Sequence, residues 1–183
     1  MTFLKVIALL LLFAAVTLGT TDLDACTFKA DNGMMYDLSP LRKREGSYSW
    51  TETVWNTAGN LYYNTNFGEK TSFFIQLQIC GNVSNIKYKS CNVTSPVYLA
   101  ASDGSSCLKL GSTDSAVFKL APFGDGLYLD YYDGESVDHI TNYEARVYII
   151  CNKGVEVIPP QMEHMKDSHQ VHFKMHSKHA CPM

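Results

Sequence analysis

Beyond its first 20 residues the sequence has no long apolar run. A transmembrane helix needs about 20 apolar residues, and the strongest later run, residues 147–150, has only the length of a strand. An excess of positive charge is also missing, because the formal net charge is −3 and acidic and basic residues are interspersed. Nucleic acid binding requires a basic surface. We therefore expect no nucleic acid partner and no direct membrane anchor.

The motifs of common enzymes are missing as well. The sequence contains no G-x-S-x-G elbow, no H-E-x-x-H zinc motif, no Gly-rich phosphate loop and no C-x-x-C pair. Cysteines that are paired in disulfides cannot act as nucleophiles. We expect a protein that is not an enzyme and that holds no cofactor and no metal.

The first 20 residues have the features of a secretory leader. Lys5 precedes an uncharged stretch at residues 6–18, and small polar residues follow at Gly19 and Thr20. This order is typical of a cleaved signal peptide. The sequence predicts a signal peptide at residues 1–20 and a single domain at residues 21–183. The location is then outside the cell or in the lumen of the secretory or endolysosomal pathway.

Cysteines and glycosylation motifs agree with that compartment. An even number of cysteines after a signal peptide is typical of a disulfide framework, whose pairing the count leaves open. Asn82 and Asn92 begin N-x-S/T sequons, which predict N-linked glycans on an exposed segment. The six cysteines all lie in the predicted domain, at Cys26, Cys80, Cys91, Cys107, Cys151 and Cys181.

The remaining pattern is that of short strands. Gly, Asn, Asp, Ser and Thr interrupt the chain often, and no long stretch keeps the apolar period of a helix. At residues 126–132, Tyr128, Asp130 and Tyr132 share one face of a predicted strand. Many short strands predict an all-β sandwich or flattened barrel. The predicted strands are residues 71–79, 96–101, 117–120, 126–132, 145–150 and 171–175.

Histidines concentrate near the C-terminus, at His164, His169, His172, His176 and His179. Three interpretations stay open. They are solvated surface side chains, a pH sensor with His169, His172 and His176 as its members, or a metal site. His172 and His176 share one face of a strand about 13 Å apart, which is too far for both to bind one ion.

Several segments, in order, resemble the mannose 6-phosphate receptor homology domain. This family has a flattened antiparallel β-barrel lectin fold and occurs in receptors and quality-control proteins of the secretory pathway. The resemblance covers residues 26–183. It rests on YDLSPL at 36–41, FFIQLQICG at 73–81, VYIICN at 147–152, and VHFKMH at 171–176 with ACP at 180–182.

The resemblance implies three disulfides, Cys26–Cys80, Cys91–Cys107 and Cys151–Cys181. Family members usually carry one further bridge that ties a loop over the sugar pocket. Its two positions fall near Asp138 and His169 here, so this bridge is absent.

The resemblance also implies which side chains would read mannose, namely Gln, Arg, Glu and Tyr. Here Val171 stands at the Tyr position, Tyr143 at the Arg position, and Ala100 or Ala101 at the Gln position. Only the Glu position has candidates, Gln161 and Glu163. The sequence thus favours a non-lectin relative that binds a protein or glycoprotein in the secretory or endolysosomal lumen.

The alternative is a lectin for mannose-type or mannose 6-phosphate glycans on lysosomal and secretory glycoproteins. In that case Tyr143, Arg146 and Glu163 would form a rearranged pocket.

Overall fold

Residues that alternate between apolar and polar form most of the strands of this chain. A computed structural model describes residues 20–55, 70–122, 126–136, 141–166 and 169–183. The helical turns of these residues are three short 3-10 turns, at Ser39–Leu41, Thr113–Ser115 and Lys178–Ala180. The strands are β1 Thr20–Asp22, β2 Thr27–Lys29, β3 Met35–Asp37, β4 Tyr48–Trp55, β5 Lys70–Leu77, β6 Val97–Ala101, β7 Cys107–Lys109, β8 Val117–Leu120, β9 Gly126–Tyr131, β10 Glu144–Cys151, β11 Ile158–Lys166 and β12 Gln170–Ser177. The predicted all-β class and all six predicted strands are confirmed.

The strands of the described residues form three sheets. A three-stranded sheet has the order β1-β2-β3, a four-stranded sheet the order β4-β5-β6-β7, and a five-stranded sheet the order β11-β12-β10-β9-β8. Strand pairs in the described residues are antiparallel except β10 with β12, which run parallel. This is the architecture expected of a flattened β-barrel.

The core lies between the four-stranded and five-stranded sheets. In β10 the buried residues alternate with partly exposed ones, so Val147 and Ile149 point inward. Ile75 of the opposite sheet belongs to the same apolar cluster. Trp50 of β4 meets Phe173 of β12 edge to face, with ring centroids 5.9 Å apart. The two sheets therefore share one continuous core, as a period of two predicts.

All three disulfides implied by the family resemblance are present. Cys26–Cys80 ties the three-stranded sheet to the chain that follows β5, Cys91–Cys107 fastens residues 81–95 to β7, and Cys151–Cys181 joins the end of β10 to the C-terminus. Each bridge closes a loop of the unfolded chain and typically stabilises a fold by about 2–4 kcal/mol.

The predicted signal peptide lies outside the described residues, apart from Thr20, which begins β1. Asp138, one position of the missing family bridge, also lies outside them. Within the ranges given above, no helix is long and apolar enough to cross a membrane.

Candidate binding surfaces

The outer face of the five-stranded sheet carries a connected set of polar and aromatic side chains. The residues that alternate with the core in β9, β10 and β12 all point to this side, and β9, β10 and β12 are neighbours. We call this set the outer aromatic face and define it by Tyr128, Asp130, Arg146, Tyr148 and His172.

Arg146 and Asp130 form the centre of this face. They are register partners across β10 and β9, and the guanidinium donates from Nε to Oδ1 at 2.5 Å and from Nη2 to Oδ2 at 2.9 Å. Asp130 is only 2% exposed, and it also accepts a hydrogen bond from the Tyr132 hydroxyl at 2.9 Å. Hydrogen bonding to this carboxylate holds the pKa of Arg146 above its usual value. The guanidinium is thus permanently charged and fixed in position.

Aromatic rings flank the ion pair. The guanidinium carbon of Arg146 lies 4.5 Å from the centre of the Tyr128 ring, a cation–π arrangement. The rings of Tyr128 and Tyr148 are 5.8 Å apart, and Tyr148 meets His172 edge to face at 5.6 Å. Tyr128 and Tyr148 remain partly exposed. They form a rigid, amphipathic surface around the fixed cation.

His172 does not fit the first of the three interpretations, that the C-terminal histidines are solvated surface side chains. It does lie on the outward side of β12, beside Arg146, yet it is only 3% exposed. Its Nε2 is 2.8 Å from Oε1 of Gln170. His169 and His176 are partly exposed, and the side chain of His164 lies outside the described residues. The pH-sensing role of His169, His172 and His176 stays a prediction.

The three residues of the predicted rearranged sugar pocket lie in two different environments. Tyr143 is buried in the apolar core at 6% exposure. Arg146 is on the outer aromatic face, and Glu163 reaches the same side of the sheet, where it pairs with Lys174 at 3.0 Å. The structure brings Arg146 and Glu163 to one face, with β12 between their strands. That these residues bind a sugar stays a prediction.

The other positions that the family uses for sugar have apolar surroundings here. Val171 is fully buried in the main core. Ala100 is 1% exposed and packs in a second cluster beside the Cys91–Cys107 bridge. These positions offer a hydroxyl-rich ligand no hydrogen-bond partner from their side chains.

The sequon segment crosses the outer side of the four-stranded sheet. Residues 81–95 contain no strand, and both Asn82 and Asn92 are exposed. Val83 of this segment packs on Tyr98 and Ala100 of β6. The asparagines therefore stand in positions that a glycan could occupy.

Among the residues that the structure describes, no group of three or more His, Cys, Asp or Glu side chains could hold an ion.

The sequence predicted only part of the outer aromatic face. Alternation in β9 already placed Tyr128, Asp130 and Tyr132 on one side. The sequence did not show that Arg146 would lie opposite Asp130, because that depends on the register between β9 and β10.

No protein-family model matches the sequence, and no curated protein matches it. Among solved structures, domain 11 of the echidna mannose 6-phosphate/IGF2R receptor is similar, with a TM-score of 0.53 and 18% identity over 87% of this chain and 96% of that one. Domain 11 of chicken IGF2R is similar too, with a TM-score of 0.52 and 18% identity over 85% of this chain and 90% of that one. Together with the three disulfides, these likenesses show that the chain has the fold of the mannose 6-phosphate receptor homology domain.

Proposed function

We propose that this chain is a protein-binding module of the secretory pathway and that it binds its partner through the outer aromatic face. The observation that carries the proposal is the Arg146 guanidinium, fixed by the buried Asp130 and flanked by the partly exposed rings of Tyr128 and Tyr148. Tyr and Arg are enriched among the residues that dominate protein interfaces. Side chains that are already ordered lose less conformational entropy on binding.

The charges on this face indicate what the partner presents. Asp130 is buried, whereas Lys119, which lies 3.5 Å from it, has a side chain that is 46% exposed. The accessible charge at the β8 edge is therefore positive. We expect a protein partner with an apolar centre that covers Tyr128 and Tyr148 and with carboxylates that reach Lys119.

Several features support a partner in the lumen. The three disulfides form in an oxidising compartment, the two sequons are exposed, and the similar structures are domains of a receptor. A protein or glycoprotein of the secretory or endolysosomal lumen is the class of partner that fits these features.

Energetics favours this proposal over family-type mannose binding. Each hydroxyl that is buried without a partner costs about 1–3 kcal/mol, and a millimolar affinity is only about 4 kcal/mol in total. Val171 and Ala100 supply no hydrogen bonds, and the Tyr143 side chain is in the core. A lectin would need a different pocket, for which Arg146 and Glu163 are the available residues.

The test begins with affinity capture from secretory-pathway lumen, followed by direct titration of the purified partner. We expect Tyr128→Ala with Tyr148→Ala to weaken binding at least about tenfold, as loss of hot-spot residues does. The matched control is Lys89→Ala on the exposed sequon segment, which should leave affinity unchanged. If the partner binds wild type, the double tyrosine variant and Lys89→Ala with the same affinity, the proposal that it binds the outer aromatic face is wrong.

A glycan array at about pH 7 and about pH 5, a range over which histidine titrates, tests the lectin alternative. Saturable binding of mannose-type glycans that Arg146→Ala and Glu163→Gln both abolish would overturn the non-lectin proposal. An array without signal for the disulfide-intact protein supports it.

A further inference from the structure

A second surface, which shares no residue with the outer aromatic face, is a groove of about 740 Å³. It runs between the Ser39–Leu41 turn and the start of β11. Three consecutive cations line it, and the rest of its lining is mostly apolar. We call it the basic groove and define it by Pro40, Arg42, Lys43, Arg44, Val157 and Pro159.

The positive charge of Arg42 is not neutralised by a carboxylate in the described part of the chain. Its guanidinium donates to backbone carbonyls instead, at 2.8 Å to Leu23, at 3.0 Å to Asp24, and also to Cys80. These bonds fix the guanidinium but leave its full charge. The base of the groove is therefore electropositive.

The backbone beside the groove is held rigidly. Gln78 is 3% exposed, accepts a hydrogen bond from the Lys43 N–H at 3.0 Å, and donates to the Lys43 carbonyl at 2.9 Å. The ammonium of Lys43 lies 4.8 Å from the centre of the Tyr48 ring. Both Lys43 and Arg44 remain exposed. The cations are thus presented on an ordered segment, which lowers the entropy lost on binding.

Apolar walls complete the groove. Pro40 and Pro159 are exposed, and Val157 is partly exposed. Two carboxylates adjoin the lining in sequence, Glu45 after Arg44 and Glu156 before Val157, and neither lines the groove. Glu156 is engaged by Lys178 and His179, whose hydrogen bonds hold its pKa below the usual range. The groove thus combines rigid apolar contact surface with three cations that form no ion pair among the described residues.

We propose that the basic groove binds an acidic peptide segment of a partner protein. Carboxylates of the segment pair with Lys43 and Arg44, and an aliphatic side chain lies against Val157 and Pro159. A free phosphate or a sulfated sugar would use the cations but would leave the apolar walls uncovered, which is why a peptide fits better. The proposal is independent of the outer aromatic face.

Fluorescence anisotropy with a labelled peptide of alternating glutamate and leucine tests this site in the disulfide-intact protein. We expect saturable binding that weakens with added salt. Lys43→Glu with Arg44→Glu should weaken it at least about tenfold, since like charges then face each other. The control double variant, Lys29→Glu with Lys89→Glu, makes the same change in net charge at exposed positions outside the groove and should keep affinity within about twofold of wild type.

Several outcomes would overturn the proposal. These are no binding, equal loss in the two double variants, or stronger binding of a sulfated oligosaccharide than of the peptide at the same groove. If the double variant is misfolded by circular dichroism, Arg44→Glu alone gives the answer, because Arg44 is an exposed side chain. Tyr128→Ala with Tyr148→Ala should bind the peptide like wild type, so failure of the outer aromatic face and failure of the groove are distinguishable.

Discussion

Arg146 on β10 and Asp130 on β9 face each other as register partners, and two hydrogen bonds of 2.5 and 2.9 Å join the guanidinium to the carboxylate. The carboxylate is almost fully buried although it points away from the main core. A buried carboxylate needs such partners, because burial of an unpaired charge costs several kcal/mol.

The first prediction concerns this pair. Arg146→Met should destabilise the protein by about 2–3 kcal/mol, because the Asp130 carboxylate loses its bidentate partner and keeps only Tyr132 and Lys119. Adding Asp130→Asn should recover part of that loss, since no uncompensated charge then remains.

Urea denaturation of the two single variants and the double variant gives the coupling free energy between the residues. Lys174→Met serves as a control, because its ion pair with Glu163 is partly open to solvent, with side chains that are 39% and 34% exposed, and should contribute less than about 1 kcal/mol. Additive effects of Arg146→Met and Asp130→Asn would contradict the prediction.

The second prediction concerns Tyr131, which is fully buried. Its hydroxyl accepts a hydrogen bond from the Cys80 N–H at 3.0 Å and donates to the Gln78 carbonyl at 3.0 Å. Tyr131→Phe leaves both backbone groups without this partner, so we expect a loss of about 1–3 kcal/mol in urea denaturation. Tyr128→Phe, at a partly exposed ring, should change stability by less than about 0.5 kcal/mol.

Tyr131 also predicts how stability depends on pH. Burial raises the pKa of its phenol in the folded protein, whereas the unfolded chain ionises near pH 10. The stabilisation is complete below about pH 10 and falls as the pH rises above it, because only the unfolded state then releases the proton. Between about pH 9 and about pH 11, wild type should lose more stability than Tyr131→Phe; parallel curves would contradict this.

Gly134 carries the third prediction. A Cβ atom at this position would lie 2.4 Å from the Tyr143 carbonyl oxygen and 2.6 Å from that of Lys109. Gly134→Ala should therefore force the backbone apart and cost about 2–3 kcal/mol or more. At Gly154 the nearest atom to a new Cβ is 3.6 Å away, so Gly154→Ala should be nearly neutral. Thermal unfolding of the two variants, measured side by side, checks the difference.

The sequence predicted the central strands and missed others for identifiable reasons. Strand β4 was not predicted. Glu52 lies on the same face of this strand as Tyr48 and Trp50, and this polar residue interrupts the apolar alternation. Strand β11 contains Pro159 and Pro160, which argue against a strand in the middle of a sheet. The structure places it at the edge of its sheet, where proline is tolerated.

The candidate surfaces were harder to predict than the strands. The cysteine pairing came from the family resemblance, because six cysteines alone allow many pairings. The alternation of residues placed Asp130 and His172 on the outer side of the sheet. It did not predict that both side chains are buried, because the side chains that cover them come from neighbouring strands. The basic groove joins residues 42–44 to Val157 and Pro159, and only the folded chain brings these segments together.

The last prediction concerns the leader and the sequons. Expression from the full chain in a mammalian secretory system should yield a mature N-terminus at Thr20 or Thr21, as the small residues at the predicted cleavage site indicate. It should also yield two N-linked glycans, because Asn82 and Asn92 are exposed and the segment that holds them contains no strand. Glycosidase treatment with mass spectrometry measures both features.

Asn82→Gln and Asn92→Gln should each remove one glycan and leave the disulfides intact. The control is Asn142→Gln, since Asn142 is exposed but begins no sequon, and its glycan count should stay that of wild type. An unprocessed N-terminus together with unmodified Asn82 and Asn92 would contradict the predicted entry into the secretory pathway. A processed chain with one glycan would contradict the prediction that both exposed sequons are modified.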